Sequence, residues 1–154
     1  MLRFSNFVQG ELDANGHLAY VAASDGQIQA VNPATHEVVR TSKDAPLRNR
    51  WVMRSSATLS PDGRLWYLPI KIQANGQNGI EQILVFDTQA MATAWVITPN
   101  HPFWALALSS DGRQLYASVS DSNEIMVIDT TTHRTVRTLA VGGKPFLLFS
   151  VKAP

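Results

Sequence analysis

Three stretches of this chain follow one template. Asn15-Gly16-His17-Leu18-Ala19-Tyr20, Asp62-Gly63-Arg64-Leu65-Trp66-Tyr67 and Asp111-Gly112-Arg113-Gln114-Leu115-Tyr116 each place a Tyr four residues after a turn Gly. Gly16, Gly63 and Gly112 fall 47 and 49 residues apart. Self-similarity at such a period marks stacked supersecondary units, each unable to bury its apolar face alone. This constrains the fold far more than it constrains the chemistry.

The third copy shows the unit most plainly. Phe103-Trp-Ala-Leu-Ala-Leu-Ser109 is an apolar run, and Ser110-Asp111-Gly112 is a turn. Gln114 to Ser120 alternates, Asp121-Ser122-Asn123 turns, and Glu124 to Asp129 is again strand-like. Thr130 to His133 turns once more, and Thr135 to Ala140 alternates. Four short strands with tight turns predict an antiparallel meander. In Ser60-Pro61-Asp62-Gly63, Pro presets φ at the second turn position and Gly accepts positive φ. Asn32, Asp87 and Asp129 end the third strands, where their side chains can take backbone N–H groups two residues on. No apolar stripe of 3.6-residue period is long enough for a helix.

The same reading gives blade-like units over about 4–41, 53–98 and 103–140. The predicted strands are 4–12, 17–23, 27–32 and 37–41 in the first, and 53–60, 64–72, 80–87 and 92–98 in the second. Lys144-Pro-Phe-Leu-Leu-Phe-Ser-Val-Lys152 repeats the opening strand, since His101-Pro102-Phe103 and Lys144-Pro145-Phe146 share the Pro-Phe step. The expected fold is therefore all-β: a partial β-propeller of three four-stranded antiparallel blades plus one extra inner strand at about 144–152.

The residues themselves carry a resemblance. Thr98 to Phe103, Ser110 to Tyr116, Asn123 to Thr130 and Val136 to Gly143 resemble the YVTN-type bacterial β-propeller repeat over nearly the whole chain. Ala117-Ser118 and Ala22-Ala23 depart from the family's usual Val-Thr/Ala-Asn. The resemblance implies a ring of about seven blades, of which three and a fraction are here. It also implies kinship with the heavy subunits of periplasmic quinone-dependent amine dehydrogenases and with lactonases. In either setting this chain would supply walls, not the reacting group.

An open arc leaves two apolar faces bare, and such faces drive association. The missing blades are expected from a longer chain, of which this is a C-terminal fragment, from a second copy, or from a partner subunit. A terminal strand such as 144–152 would complete a blade begun elsewhere. Location follows the same fork: periplasmic as part of an exported longer protein, cytoplasmic if the chain is complete as written. Residues 1–10 lack the sustained apolar stretch of a signal peptide, and no run approaches the ~18 apolar residues of a membrane helix.

Composition narrows the chemistry. Net charge is +1 with 16% charged residues, so no broad basic footprint points to nucleic acid or an anionic membrane. The absence of cysteine excludes disulfides, thiolate metal sites and cysteine nucleophiles. His36 and His133 share one turn slot, and His17 sits where Arg64 and Arg113 sit, so these are read as solvated turn residues. No paired-His spacing, calcium loop, nucleophile elbow or phosphate loop is present, so no metal, cofactor or catalytic residue is expected. Asp121 and Glu124 fall near a ligand-face loop and read as a solvated pair.

One stretch stands out. Lys43-Asp-Ala-Pro-Leu-Arg48-Asn-Arg50-Trp51-Val-Met-Arg54 joins the first two units and is longer than the matching link at 140–145. Three arginines suit carboxylate or phosphate, and Trp51 offers a stacking plate. His101, in the loop leading to an inner strand, and Trp104, at that strand's start, are placed on the same axial face. Arg48, Arg50, Trp51, Arg54, His101 and Trp104 are thus the candidate site, for an anionic small molecule or an acidic protein. The Asn75-Gly76 and Asn78-Gly79 steps predict a long polar loop nearby. The expected function is a non-catalytic binding or assembly module.

Overall fold

The computed structural model describes residues 7–13, 15–23, 25–52, 57–74, 77–119, 121–146 and 148. No helix occurs among them, and none is long and apolar enough to cross a membrane. Blade one is the meander β1 (Phe7–Leu12), β2 (Ala19–Ala23), β3 (Ile28–Asn32) and β4 (Glu37–Thr41), paired in chain order. Blade two holds β5 (Arg50–Val52), β6 (Thr58–Leu59), β7 (Leu65–Ala74), β8 (Gln77–Asp87) and β9 (Ala92–Ile97). Blade three repeats the meander with β10 (Phe103–Leu108), β11 (Gln114–Val119), β12 (Glu124–Asp129) and β13 (Arg134–Ala140). All pairings are antiparallel.

The turns form because their side chains close them. Ser60 and Ser109 Oγ accept the N–H of Leu65 and Gln114, and each donates its own proton to the carboxylate of Asp62 or Asp111 at 2.6 Å. Asp13 does the same work in blade one by accepting from Leu18. Asn32, Asp87 and Asp129 each accept N–H groups two and three residues on. The next turn ends in the left-handed region at His36, Met91 and His133, with φ of 61°, 52° and 57°. Every blade then bulges at one template position, between Ala30 and Val31, Val85 and Phe86, or Val127 and Ile128. The bulge adds twist to the outer strand.

Of the inner strand expected at 53–60 in blade two, residues 53–56 lie outside the described residues and Thr58–Leu59 is strand, pairing with Trp66–Tyr67; β5 lies ahead of that range and pairs with Ile70–Ile72. Blade two differs from expectation in its central hairpin. Of the polar loop predicted over 73–80, Gln73 and Ala74 continue one strand and Gln77 to Ile80 begin the next, while Asn75 and Gly76 lie outside the described residues. Ile72 pairs with Ile80 and Ala74 with Gln77, so β7 and β8 form a long hairpin. Of the extra strand expected at 144–152, Lys144, Pro145, Phe146 and Leu148 are not in a strand, and the other residues lie outside the described ones.

Side chains alternate across each sheet, so a blade feeds two cores. Trp66, Leu68, Ile70, Leu84 and Phe86 face blade one, where they pack with Tyr20, Ala22, Ile28 and Ala30. Tyr67, Ile83 and Val85 face blade three and meet Phe103, Leu106, Leu115 and Met126. Trp66, Phe86 and Phe103 are fully buried, each contributing roughly 1.5–3 kcal/mol or somewhat more for its size. This two-sided burial is why Leu65 to Ile70 reads as a nearly unbroken apolar run.

The seams are also fastened at the rim. Arg40 Nη1 donates to the carbonyl of Gln89 at 3.3 Å, and the Lys43 N–H donates to that of Met91 at 3.1 Å. At the second seam Trp95 stacks on His133, centroids 5.2 Å apart and planes 24° apart. Arg40 and Trp95 hold the same register position, opposite Ala30 and Val85.

Candidate functional site

The segment between β4 and β5 is built by local bonds. Ser42 is buried: its N–H donates to the carbonyl of Ile28, its Oγ accepts from the N–H of Ile28, and its hydroxyl donates to the carbonyl of Asp44 at 2.6 Å. Leu47 drops into the first core, with its N–H on the carbonyl of Gly26 at 2.9 Å. The N–H groups of Arg48 and Arg50 then close tight turns onto Ala45 and Leu47. Asn49 takes a φ of 60°, and β5 begins at Arg50.

Gly26 fixes how near this segment can come. Its φ is 88°, and a Cβ there would stand 2.6 Å from the Arg48 backbone nitrogen. Only glycine permits both the conformation and the approach. The turn between β2 and β3 therefore acts as a shelf beneath Leu47 and Arg48.

Above this shelf lies an open groove of about 350 Å³ lined by Asp44, Ala45, Pro46, Arg48, Arg50 and Thr93. Arg50 is half-buried, and its Nη1 donates to the carbonyl of Pro46 at 2.8 Å, which sets the guanidinium plane. Arg48 is exposed and has no ion-pair partner among the described residues. Asp44 brings one carboxylate to the same groove. Two guanidinium groups, one of them oriented, give a fork geometry suited to carboxylate or phosphate oxygens.

The predicted site residues therefore separate. Arg48 and Arg50 share the groove, though Arg50 and Trp51 belong to a strand and not to a loop. Arg54 lies outside the described residues. Trp104 lies in β10 and His101 two residues ahead of it, and neither lines the groove. Trp104 is half-exposed and leans on Phe146, centroids 6.2 Å apart. Asp44, Pro46 and Thr93 were missed. The first two lay inside the noted segment, but Thr93 comes from the outer strand of another blade, and no local signal marks it.

The other candidate polar groups are engaged in structure. Glu124 accepts from the Ser122 hydroxyl at 2.9 Å, while Asp121 is exposed. Glu81 accepts the N–H of Phe103 at 2.8 Å and lies 3.5 Å from Lys71, pinning the start of β10 to blade two. The Ser109 hydroxyl, with the N–H of Arg113, holds the Asp111 carboxyl below its ordinary range. The Ser60 hydroxyl and the Arg64 N–H do so for Asp62. Burial lowers the His133 imidazole, with Asp129 pulling the other way. Burial alone raises Glu11. Among the described residues, no three His, Asp or Glu side chains converge as metal ligands.

No protein-family model and no curated protein matches this sequence. Solved structures do. Hydrazine synthase of Kuenenia stuttgartiensis is similar at a TM-score of 0.62 and 21% identity, over 86% of this chain and 36% of that one. The β-propeller domain of Cps50 (Swd1) from Myceliophteria thermophila is similar at 0.64 and 13% identity, over 89% of this chain and 44% of that one. The fold is a partial β-propeller. At such identities the likeness extends to the fold alone. The chain spans less than half the length of either structure.

Proposed function

We propose that this chain is a non-catalytic propeller module, binding an anionic small molecule or an acidic protein segment at the Arg48–Arg50 groove. We propose further that its repeat is of the YVTN type, and that a longer chain, a second copy or a partner subunit supplies the remaining blades. The observation that carries the binding reading is the pairing of an oriented Arg50 guanidinium with an exposed Arg48, on a backbone braced by Leu47 and Gly26. A rigid scaffold presenting charged groups on a connecting segment is the usual place for recognition.

Calorimetric titration with inorganic phosphate and with a short polyglutamate peptide tests this. Arg48→Ala and Arg50→Ala should each weaken the bound anion by roughly tenfold, the loss of one charge-assisted contact. Arg48→Lys should fall between, since a point charge replaces a fork. Equal affinity in all three variants, or no binding by the parent, rejects the groove as the site.

A further inference from the structure

We infer that the Arg48–Arg50 groove takes a free acidic α-amino acid, with its two carboxylates on the two guanidinium groups and its ammonium group on Asp44. The inference rests on the groove reading above and names the ligand class that reading leaves open. It follows from opposite charges that share one groove and do not neutralise each other.

Three charged side chains line the groove: Asp44, Arg48 and Arg50. They fall within seven residues of chain, close enough in sequence to meet. Yet Asp44 pairs with neither arginine. Its carboxylate accepts no hydrogen bond among the described residues, and the Arg48 guanidinium donates none.

The backbone between them keeps the charges apart. The hydroxyl of buried Ser42 donates to the Asp44 carbonyl at 2.6 Å, which fixes the near end. Leu47 is held in the first core, with its N–H on the Gly26 carbonyl. Pro46 is buried between these anchors, and its ring locks φ. The Arg50 guanidinium is tied back to the Pro46 carbonyl. Asp44 precedes this anchored stretch and both arginines follow it, so the opposite charges are set for a ligand and not for one another. Groups positioned in advance bind at a smaller entropic cost.

The lining also selects by count. Two guanidinium groups and one carboxylate leave one positive charge in excess. An acidic α-amino acid at neutral pH carries two carboxylates and one ammonium group, leaving one negative charge in excess. Each group and the sum are therefore complementary. Arg50 commits Nη1 to Pro46 and keeps its other N–H groups for a carboxylate. Thr93 adds a neutral hydroxyl from β9, able to donate to a carboxylate or accept from the ammonium. Phosphate and simple dicarboxylates satisfy the arginines but bring negative charge beside Asp44, a like-charge contact that selects against them. An acidic peptide segment has an amide where the free amino acid has its ammonium, and leaves Asp44 unmet. The groove volume of about 350 Å³ lies near the small end of ligand sites, in keeping with a compact molecule.

Calorimetric titration of the full chain with L-glutamate, glutarate and inorganic phosphate tests the inference. Glutarate keeps both carboxylates of glutamate and lacks the ammonium group. The parent should bind L-glutamate roughly tenfold tighter than glutarate, the worth of one charged contact. L-Aspartate against succinate covers the shorter spacing, and a preference of that size in either pair supports the inference. No preference in either pair overturns it, and that comparison needs no variant. Asp44→Asn should abolish the preference and should bind phosphate more tightly than the parent, because a like charge has left the groove. A preference that survives in this variant, or phosphate binding that weakens, overturns the role given to Asp44. L-Glutamine, with one carboxylate fewer, should bind more weakly than L-glutamate, and equal binding overturns the fit to two arginines. Phosphate binding by the parent separates the two readings. If phosphate binds and neither amino acid is preferred, the groove stands as an anion site and this inference falls alone. If no anion binds, both fall.

Discussion

Carboxylates at the strand ends contribute to the acid limit of this fold. Asp87 accepts N–H groups from Gln89 and Ala90 and lies 3.3 Å from the Arg64 guanidinium. Burial opposes its charge, but those bonds together outweigh burial and hold the carboxyl below its ordinary range. The backbone N–H of Thr132, then its hydroxyl, do so for Asp129. A folded-state value below the unfolded one means stability that is present above about pH 4 and is lost as pH falls through the folded value. Blade one uses Asn32 in the same slot, and an amide oxygen accepts the same bonds without titrating. The double variant Asp87→Asn and Asp129→Asn should therefore keep its turns and lose less melting temperature than the parent between about pH 5 and about pH 2. Parallel acid limbs for the two proteins would count against this account.

At the scale of elements, the shelf under the connecting segment is the exposed point. Gly26→Ala adds a methyl group where the Arg48 backbone already stands, and it must do so at a φ that side chains avoid. The segment has to lift, taking Leu47 from the core. We expect a loss of roughly 2 kcal/mol or more in denaturant unfolding, the range for a truncated buried Leu. Phosphate binding should vanish with it, although both arginines remain. A variant as stable as the parent would show that the shelf does not hold the segment.

The elements were legible in the sequence wherever the deciding chemistry was local. Turn aspartates, the repeat tyrosines and β-branched alternation placed β2, β3, β4, β9 and all of blade three close to their observed bounds. One error came from blade two. Asn-Gly steps within Gln73 to Gly79 read as loop, yet pairing across the hairpin carries both strands to Ala74 and Gln77. The groove was half-legible for the same reason: Arg48 and Arg50 are neighbours in sequence, whereas Thr93 reaches them only through the stacking of blades.

At the scale of the molecule, stability is unevenly shared. Blade two buries both faces, and blades one and three bury one face each against it. In a stack where each unit contacts only its neighbours, the middle unit opens last. Amide exchange on the dilute chain should therefore be slowest in β7 and β8 and faster by about an order of magnitude or more in β4 and β13. Slowest exchange in β2 or β3 would mean that the cores do not couple as drawn.

The rim position filled by Arg40 at one seam and Trp95 at the other works as a socket that takes different plugs. A guanidinium reaching a carbonyl and an indole lying on an imidazole do the same mechanical job from the same address. Each junction can then change its fastening chemistry without its neighbours having to adjust. That independence is what a lineage needs if it is to duplicate, drop or reorder units of this kind.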